Sequence, residues 1–119
     1  MQGRRFPDAI AKGGPRDPDA HSNTGLWGDG VTSTLTKLYD IPYRCLVPKN
    51  IDNLLVSGRC ISATHHAFGA IRDIATSMST GEAAGAAAAI SVRQGVAPRN
   101  VDVKLVQKAL LAQGVSLSD

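Results

Sequence analysis

The run Leu-Leu-Val-Ser-Gly at residues 54–58 and the alanine-rich segment at residues 76–94 carry most of the information about the fold. An apolar run of this length that ends at glycine is typical of a strand buried in a parallel sheet, so we predict a strand over residues 54–57. The composition of residues 76–94 predicts a helix. A face of very small residues recurs there at helical spacing, formed by Ser77, Gly81, Ala84, Gly85 and Ala88. Because each interior glycine costs a helix roughly 1 kcal/mol relative to alanine, we expect another element to approach this face closely.

The segments on either side complete the predicted architecture. β-branched residues and prolines predict two short, edge-like strands, one over residues 31–38 and one over residues 39–48. Asp102 is placed to cap a helix over residues 103–113. Turn-forming residues dominate the first 38 positions, so we expect an irregular segment there and a second unit at residues 39–119. The predicted fold class is α/β, as an α+β fragment with a few short strands, one long Ala/Gly-rich helix and a C-terminal helix.

The composition excludes several classes of protein. The chain has 13 Lys and Arg against 10 Asp and Glu, a formal charge of +3, and its basic residues form no patch with interleaved aromatics of the kind that binds nucleic acid. The longest apolar run, residues 83–90, is far shorter than the ~20 residues of a membrane span. We therefore expect a cytoplasmic protein with no nucleic-acid partner and no membrane partner. Cys45 and Cys60 form no paired motif and are expected to be buried free thiols.

Two features near the N-terminus have a plain structural interpretation. His21, Asp17 and Asp19 lie on a proline-containing loop without a defined ligand geometry, so solvated turn residues are favoured over a metal site and no metal is predicted. The single tryptophan, Trp27, is expected to anchor a core, and substrate stacking is the alternative.

Four stretches carry a resemblance when they are taken together. They are YDIPYRCLVP at 39–48, NLLVSGRCIS at 53–62, residues 65–72, and MSTGEAAGAAAA at 78–89. They resemble the C-terminal part of a family of FAD-dependent oxidoreductases of the glutathione-reductase-like type, and the similarity runs from about Gly3 to Gly114. This resemblance implies a partial FAD-binding fold, an FAD cofactor and a small-molecule substrate. Residues 1–38 would come from the substrate-side region, and residues 39–119 would be the C-terminal part of an FAD-binding domain.

The resemblance also implies a part that these 119 residues lack. Such flavoproteins begin with a dinucleotide-binding strand and helix joined by a Gly-rich phosphate turn, and no G-x-G-x-x-G follows a predicted strand here. We therefore expect a fragment, a truncated frame or one subunit of a split enzyme, which is inactive without its N-terminal FAD-binding half or a partner subunit. The alternative hypothesis is a non-catalytic assembly module that forms a homo-oligomer through its Ala/Gly face.

The resemblance assigns a cofactor role to one turn and one helix start. The turn at Gly58 and Arg59 would run beside the FAD pyrophosphate, because glycine lets backbone approach a phosphate and a guanidinium binds its oxygens. The start of the long helix would present free amide groups to the pyrimidine edge of the isoalloxazine. The helix-start residues are Ile74, Ala75, Thr76, Ser77 and Met78. The alternatives are that Gly58 only turns the chain, that Arg59 is a surface charge, and that the helix packs on a neighbour.

Three polar residues between the turn and the helix are suited to a substrate role. His65 or His66 could exchange the proton that accompanies hydride removal from a carbon, and Arg72 could hold a carboxylate or enolate. We interpret residues 59–70 as a loop, in which adjacent histidines point to different sides. Both histidines could equally be structural. Family members often have an acid after the first histidine, and His66 takes that place here.

Overall fold

The structure, a computed structural model, describes residues 5–14 and 38–117 apart from the His66 side chain. Two strands and three helices follow one another along this part of the chain. They are β1 (Ala9–Gly13), β2 (Tyr39–Pro42), α1 (His65–Ile71), α2 (Ile74–Gln94) and α3 (Val103–Ala112). Short 3-10 turns lie at Tyr43–Leu46, Gly58–Cys60 and Pro98–Asn100. The predicted mixed α/β class, with one long Ala/Gly-rich helix and a C-terminal helix, is confirmed.

The two strands pair antiparallel, with Lys12 opposite Asp40 and Gly13 opposite Tyr39. The Tyr39 ring lies over Gly13 so closely that a Cβ on Gly13 would overlap it, so glycine is required at this position. The expectation of an irregular N-terminal segment is therefore wrong for β1. This short segment becomes a strand because β2, more than 25 residues away, supplies its hydrogen-bond partners. A prediction from local turn residues cannot detect such a distant partner.

The predicted strand over residues 39–48 is correct only in its first part. Pro42 has no amide hydrogen for a ladder, and the chain then enters a 3-10 turn in which the Tyr43 amide donates to the Asp8 carbonyl at 2.7 Å. The Tyr43 side chain is buried, and its hydroxyl donates to the Pro98 carbonyl at 2.7 Å. The strand predicted over residues 31–38 lies outside the described residues except for Leu38, and so do His21, Asp17, Asp19 and Trp27.

The run at residues 54–57 has no regular secondary structure and pairs in no sheet, so the predicted buried strand is wrong in the part of the chain that the structure describes. A parallel strand needs backbone hydrogen bonds along its whole length. The structure gives this run one backbone hydrogen bond to a distant segment, from the Val56 amide to the Leu46 carbonyl at 2.9 Å. The run leads directly into the turn at Gly58.

The core is formed by the β1–β2 pair, one side of α2 and one side of α3. From α2 it receives Thr80, Ala83 and Ala87, while Val106 and Leu110 of α3 are fully buried beside them. The Asp102 carboxylate accepts from the Lys104 amide at 3.0 Å, which confirms the predicted cap of α3. No helix in the described ranges is long and apolar enough to cross a membrane.

The side of α2 that packs is not the predicted face of small residues. Ser77, Gly81 and Ala84 are half-buried, whereas Gly85 and Ala88 are exposed, and a Cβ on Gly85 would have nothing within 4 Å. Alanine occurs on every side of this helix, so composition could not distinguish the core side from the outer side. The thiol prediction is also wrong in part, because Cys60 is exposed and Cys45 is only half-buried.

Candidate functional site

The turn at Gly58 and the start of α2 meet around one open pocket of about 450 Å³. Its lining residues are Gly58, Arg59, Ile74, Ser77 and Met78. These are five of the seven residues that the sequence predicts to contact a cofactor, and they come from two segments separated by α1. The two remaining residues are Ala75, which is exposed beside this pocket's lining, and Thr76, which is buried in the core side of α2.

The turn is fixed to α2 by a buried hydroxyl. The Gly58 amide donates to Thr80 Oγ1 at 2.9 Å, and the Thr80 hydroxyl in turn donates within its own helix, to the Thr76 carbonyl at 2.9 Å. Gly58 has a φ of 61°, in the left-handed region that favours glycine, and a Cβ there would lie 3.4 Å from the Ser77 side chain. Thr80 has no signature in the sequence, because its role is a contact across 22 positions that no local motif signals.

The Arg59 side chain is exposed but not loose. Its Nε donates to the Arg72 carbonyl at 3.2 Å, at the C-terminal end of α1. Within the described ranges the terminal guanidinium nitrogens have no further hydrogen-bond partner. Arg59 is therefore a positioned cation at the edge of the pocket, with donors available for an anionic oxygen.

The first turn of α2 has fewer available amides than predicted. The Asp73 carboxylate caps the helix and accepts from the Thr76 amide at 2.6 Å, and the Asp73 carbonyl accepts from the Ser77 amide at 3.1 Å. The amides of Ile74 and Ala75 have no partner among the described residues. The prediction of free amides over all five positions is therefore wrong for Thr76, Ser77 and Met78, since the Met78 amide is the fifth of the helix and bonds within it. Asp73 could have been found from its place before a helical pattern.

Apolar side chains form the rest of the pocket surface. Ile74 is 77% exposed and Met78 is 71% exposed, and both lie on the outward side of α2. Large apolar side chains this exposed are a common feature of binding surfaces. The pocket thus combines a cation, the helix-start residue Ile74 with its available amide, and an apolar surface, which together suit a ligand that has both an anionic part and a flat apolar part.

The residues predicted to act on a substrate do not form one cluster. Residues 65–71 are a helix rather than the predicted loop, because the Thr64 hydroxyl caps α1 by accepting from the Ala67 amide at 3.3 Å. His65 is exposed at the first position of α1 and Arg72 is half-buried just after its last, so about 10 Å of helix separates them. The backbone of His66 is part of α1, and its side chain lies outside the described part of the structure.

A second recess of about 380 Å³, which the sequence did not indicate, lies between β2 and α1. The charged groups along it are paired internally, since Arg44 Nη1 is 2.8 Å from Asp8 Oδ1 and Asp40 accepts from the Phe6 amide at 3.0 Å. Burial raises the pKa of the Cys45 thiol in this recess, with the Arg44 charge lowering it and the Asp8 charge raising it by smaller amounts. The recess is therefore an apolar cavity with a neutral thiol.

The comparisons with known proteins give one match. A family model described as FAD dependent oxidoreductase matches residues 1–110, which is most of the 119-residue chain. No curated protein and no solved structure matches. Because this match spans well over half of the chain, including both segments that form the open pocket, the chain belongs to the FAD dependent oxidoreductase family.

Proposed function

We propose that this chain forms one wall of the FAD site of an oxidoreductase, with the turn at Gly58 and Arg59 beside the diphosphate and the start of α2 beside the isoalloxazine. The observation that carries the proposal is the shared pocket, in which Arg59, Ile74 and Met78 lie together although 15 to 19 positions separate Arg59 from the other two. When bound, FAD supplies the two-electron acceptor that no side chain provides. The chain's own residues bind and orient it.

The hydrogen-bond donors around the pocket suit the diphosphate of FAD at Arg59 and the isoalloxazine edge at the start of α2. A diphosphate needs cations and N–H donors, which Arg59 supplies, and the Asp73 carboxylate at the helix start opposes a second anion there. The oxidised isoalloxazine edge is neutral and offers carbonyl acceptors to the Ile74 and Ala75 amides. Arg59 would therefore hold the diphosphate, and the start of α2 at Ile74 would bind the ring edge.

The apolar residues of the pocket support the same arrangement. Ile74 and Met78 offer a water-exposed apolar surface that a flat ring would cover, and burying it favours binding by roughly 25 cal/mol per Å². Gly58 keeps the turn close to Ser77, so the backbone leaves room for a ligand along the helix start. Its own amide is used by Thr80, so Gly58 contributes shape rather than a hydrogen bond.

A phosphate-binding turn and substrate-binding residues would complete the site. The chain corresponds to the C-terminal part of a glutathione-reductase-like flavoprotein, and a Gly-rich phosphate turn is supplied by another polypeptide segment or a partner subunit. In this proposal His65 or His66 exchanges a proton with a small-molecule substrate, and Arg72 holds an anionic group of that substrate. Because α1 separates His65 from Arg72, the two would contact different parts of that substrate.

An FAD titration of the 119-residue chain tests this proposal, with flavin fluorescence as the readout. We expect weak binding, with a Kd of about 0.1 to 5 mM, because the chain supplies only part of the site. Arg59→Gln should weaken binding about three- to tenfold. Lys104→Gln is the matched control, since Lys104 is an exposed cation on α3 away from the pocket. Equal effects of the two substitutions would contradict the proposal, as would a stoichiometrically flavin-loaded preparation of this chain alone.

A further inference from the structure

α2 is apolar on two opposite sides. Its core side, with Thr80, Ala83 and Ala87, packs on β1 and α3. The opposite side, which we call the outer face, consists of Gly81, Gly85, Ala88, Ala89 and Val92. A helix that is apolar all round is normally covered on both sides. Within the described ranges nothing covers this face beyond Gly81, since Val92 is 82% exposed and Gly85 has no neighbour within 4 Å of a Cβ position.

Two charges flank the outer face on the same side. Glu82 and Arg93 are 11 positions apart, which is about 20° beyond three full turns, and they are separated by about 16 Å along the axis. Both are exposed, and neither has an ion-pair or hydrogen-bond partner among the described residues. Opposite charges at the two ends of one flank are self-complementary in an antiparallel helix pair, because the same flanks of the two helices then meet.

We propose that the outer face of α2 binds a second copy of this chain, with the two α2 helices antiparallel about a twofold axis near residues 87 and 88. In this arrangement each Glu82 faces Arg93 of the second copy, so two ion pairs form. Val92 lies at the level of residue 83 of the second copy, between Gly81 and Gly85, where the absent side chains leave a hole. The small residues let the helix axes approach to about 8 Å.

The charges select this register over the obvious alternative. An axis near residue 83 would place Gly81 opposite Gly85 and would cover more apolar side chain, with Ile74 against Val92. It would also bring the two Glu82 carboxylates side by side, which is unfavourable. The register near residues 87 and 88 avoids this repulsion. It also leaves Ile74 and Met78 uncovered, because the position opposite Met78 falls beyond the end of α2 at Gln94.

The small area of the outer face limits the expected affinity of the dimer. About 14 residues of one helix take part, which is a smaller surface than the roughly 800 Å² per partner of a standard stable interface. We therefore expect a weak dimer with a Kd of about 10 to 100 µM. The inference does not depend on flavin binding, since it uses a different stretch of α2 and is measured without a ligand.

Sedimentation velocity of the 119-residue chain over about 5 to 300 µM tests the proposal, with circular dichroism to verify that each variant is folded. The wild-type chain should shift from monomer to dimer across this range. Glu82→Arg and Arg93→Glu should each raise the Kd about tenfold, and the double variant Glu82→Arg/Arg93→Glu should restore it to within about threefold. Lys108→Glu is the control for Arg93→Glu, because it makes the same charge change on the exposed side of α3.

Each alternative outcome overturns the proposal. A wild-type chain that stays monomeric up to about 300 µM excludes the dimer. If the single charge reversals leave the dimer Kd unchanged, or if the double variant does not restore it, the dimer forms through another surface or in another register. Gly85→Leu gives a second readout, since it fills the hole for Val92 without touching the charges and should abolish dimerisation while the monomer stays folded.

Discussion

Replacing Thr80 by valine removes the hydroxyl that holds the turn at Gly58 against α2. Valine keeps the shape of the side chain, so the fully buried site is not left with a cavity, but the Gly58 amide loses its acceptor at 2.9 Å. A buried or half-buried donor left without a partner costs about 1–2 kcal/mol. For a chain of this size that lowers the melting temperature by about 4–8 °C. The change should appear in urea titrations as a lower midpoint with an unchanged slope.

Thr76→Val is the matched control for this prediction. Thr76 lies one turn earlier on the same buried side of α2, and the structure describes no hydrogen bond made by its hydroxyl. Its substitution should change the free energy of unfolding by less than about 0.5 kcal/mol. Thr80→Val should also weaken FAD binding, because the turn that carries Arg59 is no longer fixed. Equal stability losses in the two variants would refute the reasoning that the Thr80 hydroxyl ties the turn to the helix.

Three other predictions follow from single residues. Gly85→Ala should stabilise the monomer by about 0.5–1 kcal/mol, since Gly85 is in the helix interior with open space around it. Gly95→Ala should destabilise the monomer by about 1 kcal/mol, because Gly95 has a φ of 64°. Urea titrations at low micromolar protein concentration measure both changes. Burial raises the pKa of the Tyr43 phenol and of the Cys45 thiol, so the folded state retains these protons longer than the unfolded state. The free energy of unfolding should therefore be steady at neutral pH and fall above about pH 9, and a flat profile to pH 11 would contradict this. Iodoacetamide should modify the exposed Cys60 before Cys45, with urea abolishing the difference in peptide mass spectra.

Helices were predictable from the sequence where local signals agree. Residues 103–113 combine an apolar stripe with Asp102 at the cap position, and the helix forms there as Val103–Ala112. The long helix was also found, but its start was placed two residues late because Asp73 was not recognised as its cap. The short helix α1 was missed, since Thr64 gives only a weak cap signal and seven residues give little periodicity.

Strands were harder to predict because their partners lie far along the chain. β1 has no distinctive pattern in its five residues and depends on β2 for its hydrogen bonds. The run at residues 54–57 has the composition of a buried strand, yet it has no ladder partner in the described part of the chain. Composition reports that a segment is apolar and extended, whereas pairing is a property of two segments.

Five of the residues predicted to contact a cofactor lie around one pocket, whereas the contacts that hold them in place were not predicted. The family resemblance pointed to Gly58, Arg59 and the start of α2, which the structure brings to one pocket. The contacts that hold them there, from Thr80 to the turn and from the Arg72 carbonyl to Arg59, join positions 22 and 13 residues apart and carry no sequence signature. Such contacts arise from the tertiary fold and leave no local pattern in the sequence.

The most direct measurement of the central claim is a ¹H–¹⁵N correlation spectrum of the chain recorded during titration with FAD to about 5 mM. The account predicts that the amide signals of Gly58, Arg59, Ile74 and Ala75 move most, while those of Gly114 and of α3 stay in place. Largest shifts along α3 or around the recess between β2 and α1, or no shifts at the highest FAD concentration, would contradict it.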